Sequence, residues 1–306
     1  MTSPDLAVLA PGQGAQKPGV LAPWLRDEEP RALLADWSAA AGLDLADLGT
    51  RAPAEVLRRT EVAQPVLVTT ALLATARELP AHLRLIVAGH SVGELAAAAV
   101  AGALAPRDAV ALAAARGRAM ALACAEVESG MLAVLGGEPA AVLAGIEAAG
   151  LAVANRNGAG QIVAAGPASA VSALLAAPPA GSTARRLEVA GAFHTPFMEP
   201  ARAAFAAAVG AVAFADPVHR LLGNADGAEI TTGAQCAARL VDQLTAPVRW
   251  DLCQAAVVEA APAGIVELPP AGVLSGLLRR TGGPRATALG RPGELTRAAA
   301  RTAVPA

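Results

Sequence analysis

Leu83-Arg84-Leu85-Ile86-Val87-Ala88-Gly89-His90-Ser91-Val92-Gly93-Glu94-Leu95 passes from an apolar segment to a helix-forming one with a single serine at the junction. Leu83 to Ala88 has the length and composition of a buried strand. Glu94 to Ala105 is an alanine-rich helical run that stops at Pro106. Ser91 therefore falls in the turn. Gly89 and Gly93 leave no side chain to obstruct a sharp bend or a close approach of helix to strand, so the hydroxyl can stand exposed over the end of a sheet. G-x-S-x-G in this context is the pattern of a nucleophile elbow, and the start of the helix adds free N–H groups where an oxyanion would form. An ordinary turn in a Gly- and Ala-rich chain is the alternative; the flanking strand and helix favour the elbow.

Upstream, Leu6 to Ala10 is a short apolar strand followed by Pro11-Gly12-Gln13-Gly14-Ala15-Gln16. This loop lacks the third glycine of a dinucleotide fingerprint, and no acidic residue follows a second strand at the required distance. It is either a tight turn or a loop beside the elbow that donates a second N–H to a reacting carbonyl. Trp24 to Ala41 and Pro53 to Arg59 are expected as surface helices, and Gln64-Pro65 should open a helix reaching Leu79. Arg107 to Ala125 is again helical. Taken alone, its Arg116 would be a solvated arginine.

Downstream, the texture changes at Met131. Met131 to Leu135, Leu151 to Ala154, Gln161 to Ala165 and Arg185 to Ala190 are strand-like, with an Asn-Arg-Asn-Gly turn between the middle two. Pro139 to Ala149 and Pro167 to Ala177 are helical. The order β-α-β-β-α-β is that of a ferredoxin-like unit. The chain is therefore expected to be α/β: a large α/β-hydrolase-like domain with a parallel sheet, residues 1–127 and 194–306, and an inserted ferredoxin-like small domain, residues 128–193. Strands at His219 to Leu222 and Gly264 to Leu268 and helices at Gly233 to Leu244 and from Pro247 onward complete the large domain, with a frayed tail from Gly282.

Composition narrows the function. In 306 residues, 54% of them hydrophobic, a sizeable core is assured, yet no apolar run reaches the roughly 18 residues of a membrane helix. Met1 to Asp5 has neither a basic region nor a cleavable apolar segment, so a cytoplasmic protein is expected. Cys124, Cys236 and Cys253 have no ligand spacing and an odd count, which argues for core thiols rather than disulfides or zinc. A net charge of −2, no tyrosine and 2% aromatic residues offer nothing to nucleic acid.

A serine nucleophile needs a base, and the histidines are four: His82, His90, His194 and His219. His90 adjoins Ser91 and should point away from it, and His82 precedes the buried strand. His194, in Gly191-Ala192-Phe193-His194-Thr195-Pro196-Phe197-Met198, lies between the small domain and the next helix, where a cleft should be. It is the leading candidate.

Pro11 to Gln16, Gln64-Pro65, Gly89 to Glu94, Arg116-Gly117, Asn155 to Gln161, Gly191 to Met198, Gln243 to Trp250 and Gly272 to Leu277 together resemble, in order and spacing, the malonyl-CoA:acyl carrier protein transacylase family, in its discrete actinobacterial form from fatty acid or polyketide synthesis. The resemblance implies Ser91 as nucleophile, His194 as base and Gln243 as the residue that orients the histidine. It implies the backbone N–H groups of Gln13 and Val92 as oxyanion hole, and Arg116 as the bidentate partner of the malonyl carboxylate. Phe193, Asn155 and Gln161 join Arg116 as substrate-binding positions. The partners implied are malonyl-CoA, a substrate rather than a cofactor, and phosphopantetheinylated acyl carrier protein, with no metal; a monomer is expected, since nothing in the sequence suggests an obligate assembly. Arg185, Arg186, Arg279 and Arg280 are candidate contacts for an acidic carrier or, equally, ordinary solvated arginines. Pro269-Pro270-Ala271-Gly272 departs from the Gly-Pro-Gly-Lys of many members. A serine hydrolase or thioesterase would share the elbow and the histidine, and its triad acid would be Glu188, the nearest acid upstream of His194; a catalytically silent acyl-binding protein is the third possibility.

Overall fold

Strands Leu6–Ala10 (β1) and Leu85–Gly89 (β2) are buried at every residue, as continuous apolar strands must be when helices cover both faces of a sheet. They pair in parallel, with Ala10 opposite Gly89, so the loops that follow them leave the same edge side by side. The structure, a computed structural model, describes residues 3–302. Four further strands are Ser129–Gly136 (β3), Ala152–Gly158 (β4), Gln161–Pro167 (β5) and Ser182–Arg186 (β6). The last four are Arg220–Leu222 (β7), Glu229–Ile230 (β8), Gly264–Glu267 (β9) and Thr287–Ala288 (β10). The larger sheet has the order β10-β9-β1-β2-β7-β8 and is parallel except for β8. The carboxyl ends of β1, β2, β7 and β9 converge on one edge, the usual place for a ligand in an open α/β sheet.

The second sheet, β4-β5-β3-β6, is antiparallel throughout. Side chains alternate across it. Leu132, Val134 and Ala164 face the helices Pro139–Ala148 and Ala168–Ala176, packing on Val142, Ile146 and Val171. Met131, Ala133 and Val163 point the other way, into the main core and the cleft over the parallel sheet.

Helix Gly93–Val100 sits on the main sheet at a distance that only glycine permits. A Cβ on Gly89 would lie 2.1 Å from the backbone carbonyl of Gly93, and one on Gly93 would lie 2.3 Å from the Ala10 oxygen. Neither obstacle is a side chain that could swing aside. Gly89→Ala and Gly93→Ala are each expected to destabilise the protein by about 1–3 kcal/mol or more, read as a lowered midpoint in thermal melts; wild-type melting would contradict this packing.

Several boundaries differ from those expected from the sequence, each for a tertiary reason. The helix placed at Gln64 starts at Thr60 and runs to Glu78 with Pro65 inside it, because the Thr60 hydroxyl is buried between the side chains of Gln13 and Gln64. The helix expected to reach Ala105 ends at Val100, where Gly102 turns left-handed (φ +81°) and the chain goes on to bridge Leu104 to Phe214. Asn155 to Asn157 are not a turn: β4 runs through them, bent by two register shifts and bridged from Asn155 to Val248, and the turn is Gly158 to Gly160. The last strand of the small sheet is Ser182–Arg186, not 185–190. The tail is not frayed as far as residue 302; its last four residues lie outside the described ones. β10 extends the main sheet, and the helix Glu294–Thr302 buries Leu295 and Ala299 while Glu78 accepts from the N–H groups of Gly293 (2.6 Å) and Leu295 (3.1 Å).

Candidate active site

Ser91 occupies the left-handed region (φ +54°), which for a residue with a Cβ costs on the order of 1–3 kcal/mol. Surrounding hydrogen bonds hold it there. Its N–H donates to Asn224 Oδ1 at 2.8 Å, and its carbonyl accepts from Glu94 N at 2.9 Å and from Gln243 Nε2 at 3.1 Å. In a trans peptide C=O and N–H point in opposite directions, so fixing the Ser91 carbonyl aims the Val92 N–H the other way. Among the described residues neither the Val92 nor the Gln13 N–H donates a hydrogen bond. Two free donors from adjacent loops can serve as an oxyanion hole.

His194, also left-handed (φ +61°), reaches this serine from the loop after β6. Its Nε2 lies 2.7 Å from Ser91 Oγ and its Nδ1 lies 2.8 Å from the Gln243 main-chain oxygen. A carbonyl can only accept, so Nδ1 carries the proton and Nε2 presents its lone pair to the hydroxyl. The group that orients the histidine is thus the main chain of Gln243, not its amide. Glu188, the triad acid of a hydrolase, is exposed and paired with Arg58 at 3.1 Å.

Burial drives the His194 value down to about 3, helped by the Arg116 cation and His90 and opposed by the Gln243 carbonyl. The imidazole is therefore neutral at pH 7, in the form a base requires. The kcat/KM of any reaction in which Ser91 is the nucleophile should stay flat from neutral pH down past 6.5, the ordinary histidine value, and a limb centred there would contradict the geometry. Stability has a defined sign. Below pH 6.5 the unfolded chain takes up a proton that the folded one refuses, so His194 withdraws stability as pH falls from about 6.5 toward 3 and leaves it intact above. Wild type should lose more stability between pH 7 and pH 5 than His194→Ala does in parallel urea titrations.

Arg116 is 1% exposed, on the helix Pro106–Glu126. Nη1 donates to Gln64 Oε1 (2.8 Å), and Nη2 donates to Gln243 Oε1 (2.7 Å) and approaches Ser91 Oγ at 3.4 Å. Among the described residues no carboxylate pairs with it. Gln243 stands between it and a second buried titratable group, Glu94, to which the amide nitrogen donates. Burial lowers Arg116 to about 10 and raises Glu94 to about 8, each opposed by the other's charge. Glu94 and Asn224 join the elbow although the sequence reading does not name them as site residues. A lone carboxylate at the head of the apolar run Glu94 to Ala105 was a signal for the first; nothing local marks the second.

A cavity of about 220 Å³ opens above Ser91 and His194. Gln13, Asn155, Gln161 and Phe193 line it, together with Asn157, whose Oδ1 lies 2.9 Å from His90 Nε2 and whose Nδ2 donates to Gln161. Apolar residues of β3, of Leu187 to Val189 and of the helix Val273–Arg280 form the outer walls. Glu267 caps that helix, accepting from the N–H groups of Gly272, Leu274 and Ser275. Arg279 and Arg280 lie exposed at its far end, and Arg185 and Arg186 lie exposed on β6, Arg186 donating to Ser172 Oγ. A larger cavity, about 940 Å³ and lined by Trp24, Glu78 and Arg291, shares no residue with this one and has no Ser, Cys or His in its lining. Among the described residues no three His, Cys, Asp or Glu side chains converge as a metal site, and no helix is long and apolar enough to cross a membrane.

Residues 9–298 match the family model of the acyl transferase domain. The chain is 52% identical over 279 residues to the malonyl CoA-acyl carrier protein transacylase of Mycobacterium tuberculosis, covering 90% of this chain and 92% of the relative. It is 32% identical over 288 residues to that of Escherichia coli, covering 90% and 92%. The crystal structure of MCAT from M. tuberculosis superposes with a TM-score of 0.93, at 52% identity and over 96% of this chain and 99% of that one. A malonyl-transacylase solved in complex with its type II polyketide acyl carrier protein superposes with a TM-score of 0.86 at 27% identity, over 96% and 99%.

Proposed function

This chain belongs to the acyl transferase domain family and, within it, to the malonyl-CoA:acyl carrier protein transacylases, and from that premise we propose that it moves a malonyl group from malonyl-CoA to the phosphopantetheine thiol of acyl carrier protein through an ester on Ser91. One observation carries the choice of acyl group: a buried guanidinium 3.4 Å from the nucleophile, hydrogen-bonded to neutral amides and paired with no carboxylate among the described residues. Such a cation is a site for an anionic acyl chain.

In the first half-reaction the malonyl carboxylate pairs with Arg116, and the thioester carbonyl oxygen turns toward the N–H groups of Gln13 and Val92. His194 Nε2 takes the Ser91 proton as Oγ attacks, and it returns that proton to the departing coenzyme A thiolate. The bound carboxylate offsets the Arg116 charge, which after burial is the next cause that holds His194 down. The carrier thiol then repeats the steps in reverse, giving ping-pong kinetics. Phe193, in the cavity wall beside His194, crowds a branch at the malonyl α carbon, and one methyl is worth about 1–3 kcal/mol of discrimination. Asn155 and Gln161 bind the substrate from the same wall. The test is isotope exchange between malonyl-CoA and free coenzyme A without carrier: a ping-pong enzyme catalyses it, and its absence would refute the ester intermediate.

Residues 1–127 and 194–306 form the catalytic domain and 128–193 the insert. The ferredoxin-like assignment of the insert is supported by its strand order and antiparallel pairing. The enzyme acts as a cytoplasmic monomer. Its acidic carrier is steered by Arg185, Arg186, Arg279 and Arg280, since the first pair precedes one apolar wall of the cavity and the second ends the helix that forms another. Reversing the charge of either pair should raise the carrier KM and weaken its salt dependence while leaving acylation by malonyl-CoA unchanged; a pair that alters neither is not part of the docking surface.

A further inference from the structure

Asn224 lies two residues past the end of β7, beside the elbow, and all four of its polar groups are engaged. Its main-chain N–H donates to Glu94 Oε1, and its carbonyl accepts from Arg249 N at 2.7 Å. Its side chain spans the elbow: Nδ2 donates to the Gly89 oxygen at 2.7 Å, and Oδ1 accepts from Ser91 N at 2.8 Å and, at 3.3 Å, from Gln243 Nε2. The amide orientation is forced, because the Gly89 carbonyl can only accept and the Ser91 N–H can only donate. The turn that carries Asn224 is itself anchored, with Asp226 taking Arg239 at 2.6 and 3.0 Å and the Ala228 N–H at 3.0 Å.

We propose that Asn224 is a positioning residue for the nucleophile, a clamp between the last residue of β2 and Ser91 that holds the serine in its left-handed conformation. This rests on Ser91 being the nucleophile. No hydrogen bond within the turn offsets the cost of that conformation at the Ser91 N–H; the acceptor comes from the separate turn that follows β7, and it is buried. By engaging that N–H, Asn224 leaves those of Val92 and Gln13 as the donors for an oxyanion. It also fixes the peptide plane before Ser91, while the Gln243 amide fixes the one after, so the Cα–Cβ bond that aims Oγ at His194 has no freedom on either side.

The test is labelling of Ser91 by a fluorophosphonate, which reports the reactivity of the serine without reference to any acyl group, alongside acylation by malonyl-CoA, in wild type, Asn224→Ala and Asn224→Asp. Rates are taken per folded site, counted by circular dichroism. Asn224→Ala should label and acylate about 10- to 100-fold more slowly, as small misplacements of reacting groups do, with KM for malonyl-CoA within about twofold of wild type. Asn224→Asp keeps an acceptor for Ser91 but turns an oxygen toward the Gly89 carbonyl, so it should fall between. A wild-type labelling rate per folded site in either variant would overturn the proposal. A wild type that labels with the fluorophosphonate but takes no malonyl group would instead count against the malonyl reading, and the labelling rates of the variants would still decide the role of Asn224.

Discussion

His194→Ala is expected to fold and to form acyl-enzyme roughly four to six orders of magnitude more slowly than wild type, about as slowly as transfer proceeds in Ser91→Ala. The size follows from the geometry. A serine hydroxyl is a weak nucleophile until a base takes its proton, and among the described residues the one base within hydrogen-bonding reach of Oγ is His194 Nε2, at 2.7 Å. Burial keeps that nitrogen unprotonated in the free enzyme, so no fraction of the wild type is lost to the wrong protonation state at neutral pH. Because base and nucleophile act as one unit, the double variant should be hardly slower than either single one. Single-turnover acylation measures this, and retention of more than about a tenth of the wild-type rate in His194→Ala would place the base elsewhere.

Arg116→Ala should invert the choice of acyl group. Removing one partner of a buried ion pair costs about 3–5 kcal/mol, or two to three and a half orders of magnitude in malonyl transfer. Acetyl-CoA, which leaves the wild-type guanidinium unpaired, loses that penalty and should gain in relative rate. The variant carries a structural cost as well. Gln64 Oε1 and Gln243 Oε1 lose their donor, and Glu94, already pushed up by burial, loses the cation that opposes the rise and should titrate higher still. Arg116→Lys separates the two effects, since it restores charge without the planar fork and should recover stability ahead of malonyl selectivity. Wild-type enzyme that loads acetyl-CoA as fast as malonyl-CoA would refute the role given to Arg116.

The parts of this site that are legible in the sequence are those whose geometry is local. The bend at Ser91 is written in five consecutive residues, because Gly89 and Gly93 are the positions where backbone meets backbone. The order of strands and helices on either side of Met131 marks the second sheet for a similar reason, and period-2 burial then sorts its faces. Arg116 is the opposite case. On its own helix it resembles any solvated arginine, and what buries it are Gln64 and Gln243, 52 and 127 positions away in the chain. Asn224 sits in a polar turn, and its partners Gly89 and Ser91 are more than 130 positions distant. The segment after Gly282 is rich in Arg, Pro and Gly, yet two carboxylate bonds from Glu78 and the burial of Leu289 and Leu295 suffice to fasten it. The family resemblance supplied roles for Arg116 and Gln243 that local pattern could not, and the hydrogen bonds add that the two ends of the Gln243 amide serve Arg116 and the Ser91 carbonyl while its main chain serves His194.

The most direct measurement is the intact mass of the protein after incubation with malonyl-CoA in the absence of carrier, followed by peptide mapping and a chase with phosphopantetheinylated acyl carrier protein. A single malonyl adduct on the peptide containing Ser91, absent from Ser91→Ala and discharged onto the carrier, is the expected result. An adduct that persists in Ser91→Ala, or one that water removes as fast as carrier does, would contradict the account.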